Sequence, residues 1–74
     1  MVIKPENMLT NSLDKTIVLG LRDGSVYRGT LKGFDEYENI ILSDVIRIKP
    51  ENKGSEGVKE AVFKGGNVVY IFRQ

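Results

Sequence analysis

Five consecutive residues, Asp35-Glu36-Tyr37-Glu38-Asn39, set three carboxylates around one tyrosine and one asparagine, and the run passes at once into apolar Ile40-Ile41-Leu42. Two close carboxylates can share acid–base work or hold a hard cation. This spacing fits no calcium loop, no glycine-rich phosphate cradle precedes a helix, and no serine or cysteine has a base to pair with. A solvated turn is the simpler reading of the two glutamates. No catalytic residue, metal site or cofactor is assigned, and an enzyme is not expected. Tyr37 and Asn39 offer other chemistry. An aromatic ring on a loop is a stacking platform, worth about 1–3 kcal/mol per unpaired base. The asparagine amide can match the hydrogen-bonding edge of a base, and a nearby aspartate can fix its orientation. From residue types alone, a plain surface turn and a base pocket both stay open.

A second stretch, Phe63-Lys64-Gly65-Gly66-Asn67, puts a cation and two glycines together. The glycines permit a tight turn with positive φ and a close approach of a ligand to the backbone. Lys64 is either an ordinary surface lysine or a cationic partner for a base or phosphate.

These residues must be positioned by very little protein. The chain has 74 residues, no cysteine and no histidine. One domain of this size rarely gains more than about 3–5 kcal/mol from its core unless something staples it. Disulfides and thiolate zinc sites are excluded, and the commonest general base is missing. Assembly with other copies is the remaining staple. Eleven basic and ten acidic residues give a net charge of +1, unlike proteins that hold nucleic acid mainly by phosphate contacts. Any RNA or DNA function therefore rests on local chemistry or on many copies acting together. No apolar run approaches the ~20 residues of a membrane span and nothing resembles a signal peptide, so a cytoplasmic, soluble protein without membrane partners is expected.

The period of the apolar residues gives the elements. In "KPENMLTNSLDK", Pro5 and Glu6 suit a first helical turn, and Leu9 and Leu13 with Met8 make one apolar side of a helix at about residues 5–13. Such a helix is too short to stand alone and must dock. From residue 16 the period becomes two. Ile17, Leu19 and Leu21 share a strand face, Asp23-Gly24 marks a hairpin, and Gly29 inside the next strand marks a bulge or bend. "NIILSDVIRI" is a third strand, residues 50–57 a polar loop, and "VKEAVFK" and "NVVYIF" the last two strands. In "NVVYIF", Val68, Tyr70 and Phe72 are expected on one face and Val69 and Ile71 on the other. Both faces then want cover, from the helix or from another chain. The expected fold is mainly β, a single domain over residues 1–74. A short N-terminal helix precedes a strongly bent five-stranded antiparallel sheet, with strands within 16–49 and 58–73, forming a small SH3-like barrel.

Taken together the motifs resemble the Sm and Sm-like (LSm) family. The first Sm motif is matched by Ile17, Leu19, Leu21, Gly24, Gly29, Leu31, Asp35, Asn39 and Leu42, and the second by "VFKGGNVVYI". The resemblance spans residues 16 to 72, and the short loop and absent C-terminal tail look archaeal. It implies rings in which the fourth strand of one subunit pairs with the fifth of the next, with a heptamer expected and a hexamer as the alternative. It also implies single-stranded U-rich RNA around the inner rim, about one base per subunit, in a scaffold or chaperone role. Carried over by position, Tyr37 stacks on a base, Asn39 bonds the uracil edge, and Asp35 holds the asparagine, or its basic neighbour, in place. Lys64 takes the place of the family's stacking arginine, with Gly65 following it. Lys64 lacks the planar guanidinium, Glu38 stands where methionine is common, and Gly66 replaces a polar residue and weakens support for the turn. Uridine affinity below the family's norm is therefore expected. An assembly module with a weakened RNA pocket that mainly binds proteins is the alternative. A monomeric SH3-like or OB-like barrel is a third possibility.

Overall fold

A computed structural model describes residues 5–51 and 57–74, with side chains from Met8 onward. The helix α1 (Pro5–Asn11) is followed by β1 (Thr16–Leu21), β2 (Val26–Phe34), β3 (Ile40–Lys49) and β4 (Val58–Phe63). A single 3-10 turn (Gly65–Asn67) leads into β5 (Val68–Arg73). The strands form one antiparallel sheet in the order β4-β3-β2-β1-β5. Most of the polar loop expected at 50–57, residues 52–56, lies outside the described residues.

Asp23-Gly24 makes the β1–β2 hairpin. Gly24 sits at φ 91, a region that favours glycine, and the Asp23 carboxylate closes the turn on the Ser25 backbone N–H at 2.9 Å. Gly29 lies where β2 and β3 change register, with two residues, Asp44 and Val45, opposite it and so one in excess. A Cβ at Gly29 would lie 2.9 Å from the Ser43 carbonyl oxygen, so this crossing is open to glycine alone. Asp44 itself takes a φ of 52. The extra residue shifts the inward-facing parity of β3, and Ile40, Leu42 and then Val45 are buried. They pack with Leu9, Ile17, Leu19, Leu31 and Phe63 into one core.

The sheet is strongly bent. The 22–25 hairpin and the 35–39 turn lie at opposite ends of β2, about 30 Å apart along nine extended residues. Yet they bond to adjacent residues of one turn, Gly66 and Gly65. Only curvature brings the two ends together.

Two side-chain placements differ from the periodicity. The helix docks through Leu9, which is fully buried, but Leu13 is 40% exposed and Ser12 is buried in its stead. The helix stops at Asn11 because the chain turns away: Ser12 N–H donates to the Leu9 carbonyl, Asp14 N–H to that of Leu31, and Asp14 adopts φ 64. A helical spacing drawn across residue 12 therefore points the wrong residue inward. In β5, Val68 pairs with Leu21 and Tyr70 with Gly20, so Val69 is an unpaired bulge residue. A bulge inverts the alternation beyond it. Val68 and Ile71 pack on the core, while Val69, Tyr70 and Phe72 are exposed. The expected grouping of Val68 with Tyr70 and Phe72 does not hold. The helix reaches β5 through Arg73, whose Nη1 donates to the Asn11 carbonyl at 3.2 Å, and leaves these three side chains open.

Candidate nucleic-acid interface

The turn 35–39 is organised by one carboxylate. Asp35 Oδ1 accepts the backbone N–H groups of Tyr37 at 2.9 Å and Asn39 at 3.0 Å, and Oδ2 accepts Asn39 Nδ2 at 2.9 Å. The backbone closes the same loop, with Glu38 N–H donating to the Asp35 carbonyl and Asp35 N–H to that of Asn39. Donors aimed at the charged form favour it. The Asn39 amide, aided by the Asn39 and Tyr37 backbone N–H groups, holds the Asp35 carboxyl below the ordinary carboxylate value.

Asn39 is held from its other side as well. Its Oδ1 accepts the Gly65 N–H at 2.8 Å. The amide plane is thus fixed between two loops, with one N–H and one oxygen lone pair left for a ligand. A donor and an acceptor of the amide thus stay unused within the turn.

The glycine of Lys64-Gly65 is required for a reason the sequence did not reveal. Neither Gly65 nor Gly66 has positive φ among the described glycines. A Cβ at Gly65 would instead collide with the Tyr37 carbonyl oxygen and lie 2.9 Å from the Glu38 carbonyl carbon. The neighbour that approaches this backbone is the protein's own 35–39 turn. Gly66 has open space around its Cβ position.

Of the five candidate residues, Asp35, Asn39 and Gly65 are joined by hydrogen bonds in one chain. Tyr37 sits on the same turn with its side chain 73% exposed, free to present a ring face. Lys64 is exposed on extended backbone (φ −70, ψ 129) immediately before Gly65. Glu36 and Glu38 line a shallow cleft of about 210 Å³ with Leu9, Phe34 and Asp35, on the helix side of the turn. Glu38 holds φ 63, a left-handed conformation that sharpens the turn.

Arg22 was not among the residues expected. Its backbone N–H donates to the Asn67 carbonyl at 2.9 Å and its Nε to the Gly66 carbonyl at 2.8 Å. The turn expected to be weakened by Gly66 is therefore held from outside. No spacing rule could have paired residues 44 positions apart. The one signal was a lone cation before Asp23-Gly24.

Comparison with known proteins agrees with this architecture. A family description, the LSM domain, matches residues 7–73. An snRNP Sm-like protein of Thermococcus sibiricus is 38% identical over 72 residues, covering 96% of this chain and 92% of the relative. One from Methanosarcina barkeri is 31% identical, covering 96% and 97%. Among solved structures, the Pyrococcus abyssii Sm protein in complex with a uridine heptamer superposes with a TM-score of 0.86 at 29% identity, covering 97% of this chain and 100% of that one. A heptameric archaeal Sm protein superposes with a TM-score of 0.80 at 30% identity, covering 92% and 97%. On sequence and fold together, this chain belongs to the LSM domain family.

Proposed function

We propose that copies of this chain close into a ring, with seven members the first expectation, and hold single-stranded, U-rich RNA at the inner rim as a scaffold or chaperone without catalysis. The observation that carries this is the Asn39 amide, fixed by Asp35 and Gly65 with one donor and one acceptor left free. A pre-oriented amide loses little freedom on binding. In this mechanism Tyr37 stacks on the base and Asn39 bonds its edge. Asp35 holds Asn39, Lys64 faces the base or its phosphate, and Gly65 lets the two loops close on each other.

The ring is supported by the sheet's two edges. β4 leaves Val58 and Val62 exposed and β5 leaves Val69, Tyr70 and Phe72 exposed, and an unpaired apolar edge invites another strand. Pairing β4 of one copy with β5 of the next removes both edges and enlarges a core too small to be secure. The likeness to a heptameric Sm protein and to one bound to a uridine heptamer points the same way. Repetition matters energetically. Linked sites act at an effective concentration of about millimolar and multiply single-site affinity by about 10²–10⁴.

A second reading, a ring that mainly binds proteins, is favoured by the charge of the turn, where Asp35, Glu36 and Glu38 face a strand with Lys64 as the cation beside the pocket. Titrating fluorescent oligo-uridine at low salt, where electrostatic attraction is greatest, separates the two. Binding that is lost in Asn39→Ala with the oligomer intact supports the RNA pocket. An intact ring that binds no oligo-uridine favours the protein-binding reading.

A further inference from the structure

We infer that the outward face of β5, β1, β2 and β3, the side away from α1 and the core, docks an acidic amphipathic helix of a partner protein. The strand register places its residues. Directly opposed residues share a face, so Phe72, Val18, Arg28 and Ile46 form one row across four strands, and Tyr70, Gly20 and Val26 the next. Ile17 and Leu19, which alternate with them on β1, belong to the core on the opposite side. Ile48, in excess where the register shifts beside Val26, and Lys49 end the second row on β3.

The face is apolar and open. Phe72, Tyr70, Ile46 and Ile48 are all exposed, a clustering that marks interaction surfaces. The Tyr70 ring lies across Gly20, where a Cβ would collide with it, and stacks on Phe72 with centroids 6.2 Å apart and planes at 10°. Val18, between Phe72 and Arg28, is buried although it lies outside the packed core cluster. Arg28 stands mid-row and half-buried, and among the described residues its guanidinium has no hydrogen-bonding or ion-pair partner.

Composition and charge select the partner. A strand that pairs with β5 lies in the plane of the sheet and covers an edge, not a face. A nucleic-acid strand needs a series of cations along its path, whereas these rows set four exposed apolar side chains against Arg28 and Lys49 alone. Aromatic rings, aliphatic side chains and an arginine are the make-up of a protein interface. Neither row contains a carboxylate, so both cations are left for an acidic partner. From β5 to β3 the rows cross three strand spacings, about 14 Å, the length of about ten helical residues. A helix with one apolar side flanked by glutamate or aspartate meets the apolar rows and the two cations together.

The probe is a fluorescent peptide of about twelve residues with leucine at helical spacing and glutamate between, set against a lysine version with the same leucines. Anisotropy on the full chain at low salt should show binding of the glutamate peptide and none of the lysine peptide. Arg28→Glu should weaken the glutamate peptide about tenfold or more and let the lysine peptide bind instead. Ile46→Ser should cost the glutamate peptide about fivefold or more. Oligo-uridine affinity and native mass should stay unchanged in both variants. If Arg28→Glu does not fold, Arg28→Gln carries the test, and unchanged glutamate-peptide affinity there overturns the proposal. Unaltered protein that binds both peptides alike, or neither, overturns it too. Loss of the native oligomer in Ile46→Ser would make the face a contact between copies, and loss of oligo-uridine binding in Arg28→Glu would make it an RNA contact. Either result overturns the docking site and leaves the base pocket at Asn39 standing.

Discussion

Two adjacent glycines should respond oppositely to the same methyl group. At Gly65 a Cβ meets backbone on the 35–39 turn: the Tyr37 carbonyl oxygen at collision distance, and the Glu38 carbonyl carbon and oxygen each at 2.9 Å. Backbone cannot step aside as a flexible side chain can. Forcing extra volume into packed structure costs about 1–3 kcal/mol, and parting the loops also sacrifices the Gly65 N–H to Asn39 bond, about 1 kcal/mol net. Gly65→Ala should therefore cost roughly 2–4 kcal/mol, a large part of the ~3–5 kcal/mol that a core this size supplies. At Gly66 nothing lies within 4 Å and φ is not positive. Gly66→Ala should be neutral or stabilise by up to about 1 kcal/mol, by restricting the unfolded chain. Urea unfolding at one fixed protomer concentration measures both, since assembly makes stability concentration-dependent. Where Gly65→Ala still folds, oligo-uridine affinity should drop about fivefold to tenfold as Asn39 loses an anchor. Equal tolerance of alanine at 65 and 66 would refute the close approach of the two loops, and with it the fixed amide.

Other perturbations follow from the same geometry. Tyr37→Ala should lower oligo-uridine affinity by about 1–3 kcal/mol per stacked base, with unfolding midpoint and native mass unchanged because the side chain is exposed. Leu9→Ala should cost about 2–5 kcal/mol, whereas Leu13→Ala should stay within about 1 kcal/mol; urea midpoints distinguish buried from exposed positions on the same short segment. The depressed Asp35 pKa gives a sign: its contribution is fully present above the ordinary value of 3.8 and is lost as pH falls through the lower folded value. The stability advantage of the unaltered protein over Asp35→Asn should thus hold down to pH 3.8 and shrink below it, as read by urea midpoints along a pH series.

Much of this architecture was legible in the residue pattern. Asp23-Gly24 signalled its hairpin, Gly29 its bend, and Ile17, Leu19 and Leu21 their shared face, because each depends on local conformation or on a period of two. Asp35 holding Asn39 was also readable, since the partners are four residues apart. What escaped depends on contacts distant in sequence. The β5 parity could not be read because the bulge at Val69 is set by pairing with Gly20 and Leu21. Ser12 displaced Leu13 because the Leu31 carbonyl captures the Asp14 N–H and ends the helix early. Gly65 was noticed for the conformational freedom of its type, while the structure uses its missing Cβ. Arg22 showed only as a lone cation before Asp23-Gly24, for its partners lie 44 and 45 residues downstream.

Native mass spectrometry with and without oligo-uridine bears most directly on the proposal that copies close a circle and bring their base pockets side by side. The expected result is a closed oligomer, seven times the 8.3 kDa chain being the first expectation, that takes up one heptauridine strand without changing its subunit number. A well-folded single copy of 8.3 kDa, persisting at working concentration and unaltered by the RNA, would contradict it.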